Sequence, residues 1–450
     1  MFAHRALLSA LLLLLVLSLV GCNALPFQLG RTPLPGTPMP AVTLTPLPLG
    51  TTEAGFTDVP GTQAASAEPT QPMGAVTLRI WLPPQFDPNS GTPAGDLLKD
   101  RLADFVALNS GVRLEVRIKA LEGAGGLLEA LAAANAAAPL ALPDLVALPR
   151  PLLESAALKG LLYPYDGMTG VMDDQGWFEY AGQLAHLQNS IYGLPFAGDA
   201  LVVAYRPTLL ASTPRSLGTA LSSGQILLFP AADSQALFTL ALYQATGGSV
   251  MDAEGRPFLD ETTLANLLEY DQQASMAGVL PYWLTQFATD KQVWDAFLGD
   301  QFPMVVTWTS RYLSQAGTVP DGLALAPLPT SDGSAFTLAT GWTWALAGPD
   351  PARQALSVRL AEFLVDAQFL AGWSYAAGYL PPRLDALQSW QDASLREMLG
   401  RIAASARLVP PADVLSSLGP ALEQAVVDVL KAQNDPQSAA QTAVEQINQP

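Results

Sequence analysis

The sequence predicts an α/β protein folded as two lobes, and three observations carry that expectation. Between Val76 and Pro149, stretches with apolar residues at every second position take turns with stretches of helical period, in the order strand, helix, strand, helix, strand. Strands joined through helices pair in parallel by right-handed crossovers, the layered α/β architecture. The alternation then runs on to the end of the 450-residue chain, longer than one sheet of ordinary size requires, and 50% of the residues are apolar. Two lobes, each with its own core, account for that length.

Each element has its own signal. VTLRIWL (76–82) alternates and reads as the first strand. In 94–110, Leu97, Leu98, Leu102, Phe105 and Val106 fall at helical spacing. VRLEVRIKA (112–120) alternates Val112, Leu114, Val116 and Ile118 with charged residues, a second strand. GLLEALAAANAAA (126–138) is a helix and PDLVALP (143–149) a short apolar strand. Beyond residue 191, LVVAY, SGQILLFPA, FPMVVTW and FTLATGWTWALAG are further strands. SQALFTLALYQATGG is a helix closed by Gly247 and Gly248, and TTLANLLEYDQQASMAG is another. ALSVRLAEFLVDAQFLAGWSYAAG reads as one long amphipathic helix, and LGPALEQAVVDVLKAQ and PQSAAQTAVEQIN as helices closing the chain.

The chain opens MFAHRALLSALLLLLVLSLVGC, with His4 and Arg5 ahead of an apolar run from Ala6 to Val20. That run is shorter than the ~20 residues a spanning helix needs, and its flanks are those of a secretory signal peptide. Leu19, Val20, Gly21 and Cys22 resemble the bacterial lipoprotein signal. The resemblance implies that Cys22 carries a diacylglyceryl anchor and begins the mature chain. Cys22 is the one cysteine present, so no internal disulfide forms. Residues 22–74 are rich in Pro and Thr, a composition that propagates neither helix nor sheet and makes an extended tether.

The formal net charge of -18 argues against a surface that tracks nucleic-acid phosphates. With His4 removed alongside the signal, His186 stands alone, and Cys22 is taken by lipid. Cys/His catalysis and a multi-histidine zinc site are thereby excluded, and DAEGR (252–256) lacks the acidic spacing of a calcium loop. The expectation is a protein without metal or cofactor.

Six further segments, in order, resemble the family 1 extracellular solute-binding proteins of bacterial ABC importers. They are VTLRIWL, PDLVALPRPLLESAALKGLLYPYDG, QNSIYGLPFAGDALVVAYRP, FLGDQFPMVVTWTS, LALAPLPTSDGSAFTLATGWTWAL and AGYLPPRLDAL. The resemblance implies a two-lobed clamshell of the periplasmic-binding-protein type II class, with several hinge crossovers and a ligand in the cleft. It places crossings at Ala197–Ala200, Phe336–Gly341 and Asp366–Gly378. The implied division is 1–21 signal, 22–74 tether, 75–198 first lobe, 199–338 second lobe, 339–370 first lobe again and 371–450 second lobe. The chain departs from the family pattern at Tyr205, Arg206 and Pro207, and LVPPADVLSSLGP has no aromatic residue.

Sugars offer flat C–H faces to aromatic rings and hydroxyls to carboxylates and amides. The candidate ligand contacts are therefore Asp199 at the first crossing, Trp308 and Trp81 at strand ends, Trp342 on a crossing strand, Tyr379 in the last turn, Tyr205, and Asp87 in the loop after Trp81. Trp177, Trp294, Trp373 and Trp390 are assigned to packing.

The resemblance implies a lipid-anchored, monomeric, extracytoplasmic subunit that captures a small solute, a mono- or oligosaccharide, and hands it to ABC permease subunits. It is not an enzyme. The alternatives are a ligand-binding sensor or scaffold lipoprotein without transport, and a carboxylate-pair glycosidase, for which no spacing of acids speaks.

Overall fold

The computed structural model describes residues 75–448 except 211, 300–301 and 316–321. The signal-like segment, Cys22 and the Pro/Thr-rich stretch lie outside the described residues. The chain enters as β1 (Val76–Leu82), α1 (Pro93–Leu108), β2 (Val112–Ile118), α2 (Leu127–Ala137), β3 (Leu145–Pro149) and α3 (Arg150–Leu158). It continues as α4 (Glu179–Ala185), the hairpin β4 (His186–Leu187) and β5 (Ser190–Ile191), the long β6 (Leu194–Tyr205), α5 (Leu217–Ser223) and β7 (Leu227–Leu228). Then come α6 (Leu237–Ala245), α7 (Glu261–Met276), α8 (Asp290–Gly299), β8 (Met304–Trp308), α9 (Thr309–Leu313), β9 (Ala324–Ala326) and β10 (Thr337–Leu346). The chain closes with α10 (Pro351–Leu364), α11 (Ala367–Ala377), α12 (Leu384–Gln388), α13 (Ala393–Ser405), β11 (Ala406–Leu408), α14 (Ala412–Leu430) and α15 (Pro436–Asn448).

The strands form one mixed sheet in the order β2-β1-β3-β10-β6-β8-β7, with β11 on β10 and β9 on β6. β1 runs parallel to both β2 and β3, as the strand–helix alternation predicts. Alternation also explains the burial. Leu78, Ile80 and Leu82 point into one core with Leu145 and Ala147, whereas Trp81, opposite Val146, points into the core on the other face. Helix starts follow the expected chemistry: Thr92 accepts the Gly95 N–H ahead of α1, and Pro93 fills its first position.

Two strands are long enough to serve two cores. Residues 194–200 of β6 pair with β10, and residues 201–205 pair with β8 and β9. Phe196 and Ala197 belong to the core built on β1–β3, and Ala200 and Val202 to the core built on β7 and β8 with α6, α7 and α14. β10 makes the same passage, with Trp344 and Leu346 in the first core and Leu338 and Ala339 in the second. At the passage Gly198 faces Gly341 across the ladder. A Cβ on Gly198 would collide with the Tyr180 hydroxyl and stand 2.9 Å from the Leu380 carbonyl oxygen. The backbone is packed on both sides there, so only glycine fits.

Three details depart from the sequence reading. The long helix expected across 355–378 is broken, because Asp366 accepts the Phe369 N–H and starts α11 as a new helix. That helix stays with the first core: Leu370 and Trp373 pack there, and so does Ala386, whereas Leu387 and Trp390 lie in the second. The final hand-over therefore falls near Leu380–Leu387, later than the boundary at 371. Helix α14 begins before Leu418 and carries Pro420 within it.

Candidate ligand site at the strand crossing

Asp199 stands one residue past Gly198, opposite Thr340 of β10. Its Oδ1 accepts hydrogen bonds from Thr309 Oγ1 at 2.7 Å, the Ser310 N–H at 2.9 Å and the Ala200 N–H at 3.1 Å. Its Oδ2 accepts from the Ser310 hydroxyl. The carboxylate thus secures the first turn of α9, while Oδ2 keeps acceptor capacity for a further donor. Burial pushes Asp199 up to about 6, against the pull of its Ser310 and Thr309 donors. Burial also raises the hydroxyls of Tyr180 and Tyr379, and in both the Asp199 charge adds to the shift. The Tyr180 hydroxyl is buried without a hydrogen-bond partner.

Aromatic rings gather on the first-core side of the crossing. Trp342, opposite Ala197, meets Phe86 edge-on at 4.9 Å between ring centres. Phe86 also touches Tyr379 at 5.7 Å and Phe196 at 5.2 Å. Tyr379 lies parallel to Trp373 at 6.5 Å and precedes Leu380, which exchanges backbone hydrogen bonds with Gly198. Trp342 and Tyr379 are only partly buried, whereas Trp344 is buried and stacked on Phe196. On the second-core side, Trp308 is partly buried, faces Leu201 and immediately precedes the two residues that bind Asp199.

The structure therefore brings Asp199, Trp308, Trp342 and Tyr379 to one crossing. Of the three other sequence candidates, Trp81 and Tyr205 lie apart from it, and Asp87 directly follows Phe86 of the aromatic group. Trp81 is 3% exposed in the core beneath α2 and α3, with the Lys119 ammonium 4.9 Å above its ring. Period two forces this, because the neighbours of Trp81 face Phe86. Asp87 turns its carboxylate back onto the Asn89 N–H at 2.8 Å, closing its own turn. Tyr205 lies six residues along β6 from Asp199, roughly 20 Å away at strand rise. It lines a separate depression of about 250 Å3 with Arg215, Met398 and Arg401. Among the expected packing residues, Trp294, Trp373 and Trp390 are buried. Sequence reasoning missed Phe86, whose signal was an aromatic residue in the loop PPQFDPNSG.

A cavity of about 300 Å3 lies between residues of both halves, lined by Arg150, Glu154, Gln188, Tyr192, Met251 and Asp413 among others. Arg150 and Glu154 are 9% and 8% exposed and pair at 2.6 Å. Arg150 Nη1 donates to the carbonyls of Gln183, Leu184 and His186, so the guanidinium sits at the negative end of α4. Glu154 Oε2 accepts the Ala412 N–H at 2.9 Å, at the positive end of α14. One buried pair on α3 thus ties together the ends of two other helices. Its sequence signal was the Arg–Glu spacing of four residues in RPLLE.

No group of metal-ligating side chains occurs among the described residues. Two long strands passing from one core to another, with polar and aromatic side chains at the passage, define a two-lobed binding protein. The sequence pattern of bacterial extracellular solute-binding proteins matches residues 101–397, more than half of the chain, which therefore belongs to that family. Its members are binding proteins that work outside the cytoplasm. Among curated proteins, no sequence match is found. Among solved structures, the cyclic α-maltosyl-1,6-maltose binding protein of Arthrobacter globiformis is similar, with a TM-score of 0.69 at 18% identity, over 83% of this chain and 98% of that one. The sugar-binding protein MalE of Xanthomonas citri has a TM-score of 0.69 at 17% identity, over 83% and 96%. A cyclo/maltodextrin-binding protein complexed with maltotetraose has 0.67 at 19% identity, over 84% and 98%. These likenesses establish the fold as that of the two-lobed maltose-binding type.

Proposed function

We propose that this protein is the lipid-anchored binding subunit of an ABC importer and captures a mono- or oligosaccharide by closing its two halves. The observation that carries this reading is the pairing, at one crossing, of the part-open rings of Trp342, Tyr379 and Trp308 with the Asp199 carboxylate. Rings match the C–H faces of a sugar, and the acceptor capacity left on Asp199 Oδ2 matches its hydroxyls. The similar structures named above include sugar binders, which is in line with this ligand class. Closure follows when the ligand binds the closed arrangement better than the open one. The anchor rests on Cys22 in its lipoprotein-like setting, and the importer role on the family.

The test is a thermal-shift screen of the purified protein against glucose, maltose, maltotetraose, amino acids and polyamines. A cognate sugar at 100 times its Kd adds ~2.7 kcal/mol to stability. A shift from amino acids or polyamines alone refutes the carbohydrate reading.

A further inference from the structure

The register at the crossing sets a tryptophan on either side of one carboxylate. Alternate residues of a strand share a face of the sheet, and so do residues directly opposed across a ladder. Ala197, Asp199 and Leu201 of β6 therefore share a face, with Trp342 opposite Ala197 on β10 and Trp308 opposite Leu201 on β8. Each tryptophan is a diagonal neighbour of Asp199, at about 7–8 Å, within reach of one guest placed between them. Tyr379 stands close enough for the Asp199 charge to raise its hydroxyl. All four residues are only partly buried.

What the carboxylate lacks is a countercharge. Its partners, the Thr309 and Ser310 hydroxyls and the Ser310 and Ala200 N–H groups, are all neutral donors. The neighbouring Asp290 has the same sign of charge, and Arg311 is committed to Asp290 at 2.8 Å. Tyr180 and Tyr379 are neutral, because burial raises both hydroxyls. An ionised carboxylate in an enclosed site is costly unless a cation joins it. A sugar hydroxyl would add one more neutral donor and leave the charge unbalanced, whereas an ammonium balances it and donates as well. The flanking rings favour the same guest, since the face of an indole attracts a cation. The net charge of -18 draws cations toward the protein.

We propose that the captured solute is an amino sugar, whose protonated amine sits between the Trp308 and Trp342 rings and pairs with Asp199. This inference rests on the sugar-binding reading above and names the class of sugar: the rings select the sugar face, and Asp199 selects the charge.

The experiment titrates wild-type protein and Asp199→Asn in a calorimeter at pH 7. The ligands are glucosamine and a β-1,4-linked glucosamine trimer, each against its neutral counterpart, glucose or cellotriose, with spermidine as an amine without a sugar. The wild type is expected to bind each amino sugar roughly 10- to 100-fold more tightly than its counterpart, the range for a hydrogen bond to a charged group. In Asp199→Asn that preference should vanish while the neutral sugars still bind, which a merely structural role at the start of α9 would not produce. Trp342→Leu, which leaves the Asp199 hydrogen bonds in place, should lower the preference about two- to fivefold and tests the same claim if Asp199→Asn does not fold. Neutral sugars bound as tightly as the amino sugars, or a preference that survives Asp199→Asn, overturn the inference and leave the sugar reading intact. Spermidine bound more tightly than every sugar, or no sugar bound at all, overturns the sugar reading and the inference with it.

Discussion

Asp271 offers the clearest quantitative test of the described packing. It lies on α7, 4% exposed, and makes no hydrogen bond or ion pair among the described residues. Burial alone pushes its carboxyl up to about 8. In the unfolded chain the same group ionises near pH 4, as ordinary aspartates do. Between these limits the folded protein holds a proton that the unfolded chain has released. Stability is therefore greatest on the acid side for this group and falls as pH rises toward 8. Each pH unit in that window costs up to about 1.4 kcal/mol, so raising pH from 5 to 7 removes at most roughly 3 kcal/mol. Asp271→Asn keeps the shape and removes the titration. Denaturant unfolding of both proteins at pH 5, 6 and 7 should show a falling stability for the wild type and a flatter profile for the variant, which is the more stable at pH 7. Asp199, also raised, titrates in both proteins and cancels in the comparison. Identical pH slopes in the two proteins would refute the claim that Asp271 is buried without a partner.

Further predictions concern the joint between the halves. Gly198→Ala forces a methyl against the Tyr180 hydroxyl and should cost about 1–3 kcal/mol, the range for overpacking; an unchanged melting temperature contradicts the close approach. Glu154→Ala leaves Arg150 buried without its carboxylate and the Ala412 N–H without its acceptor. It should cost about 3–5 kcal/mol and speed hydrogen exchange at Ala412, whereas Asp295→Ala, in the exposed Lys291–Asp295 pair, should cost less than about 1 kcal/mol. Equal effects from these two substitutions would show that the Arg150–Glu154 pair is not buried.

The layered first half was legible because period two survives in VTLRIWL and VRLEVRI, and two of the crossings were legible through the family resemblance; in the structure a glycine stands in each of β6 and β10 at the point where both change core. Asp199 was legible through the family resemblance, as the acidic residue that follows GLPFAG at the first crossing. What the sequence concealed depends on contacts distant in the chain. The period-two face of Trp81 was computable, but which face meets the crossing depends on where α1, α10 and α11 pack. The break at Asp366 competes with an unbroken helical period, and an N-cap outweighs it only once the Phe369 ring is anchored beside Arg101 and Trp373. Phe86 and the Arg150–Glu154 pair acquire their roles from partners more than 100 and more than 250 residues away, Phe196 and Ala412.

The central claim, that two halves close on a sugar through the β6–β10 crossing, is tested most directly by a distance between them. Leu140 and Met276 are each 81% exposed, one near the first core and one on α7 of the second. Spin labels on Leu140→Cys and Met276→Cys, with Cys22→Ser removing the other thiol, report their separation by double electron–electron resonance. Saturating maltotetraose should shift the distance distribution and narrow it to the closed arrangement. Binding without any change in that distribution, or no binding by any sugar in the panel, would contradict the account.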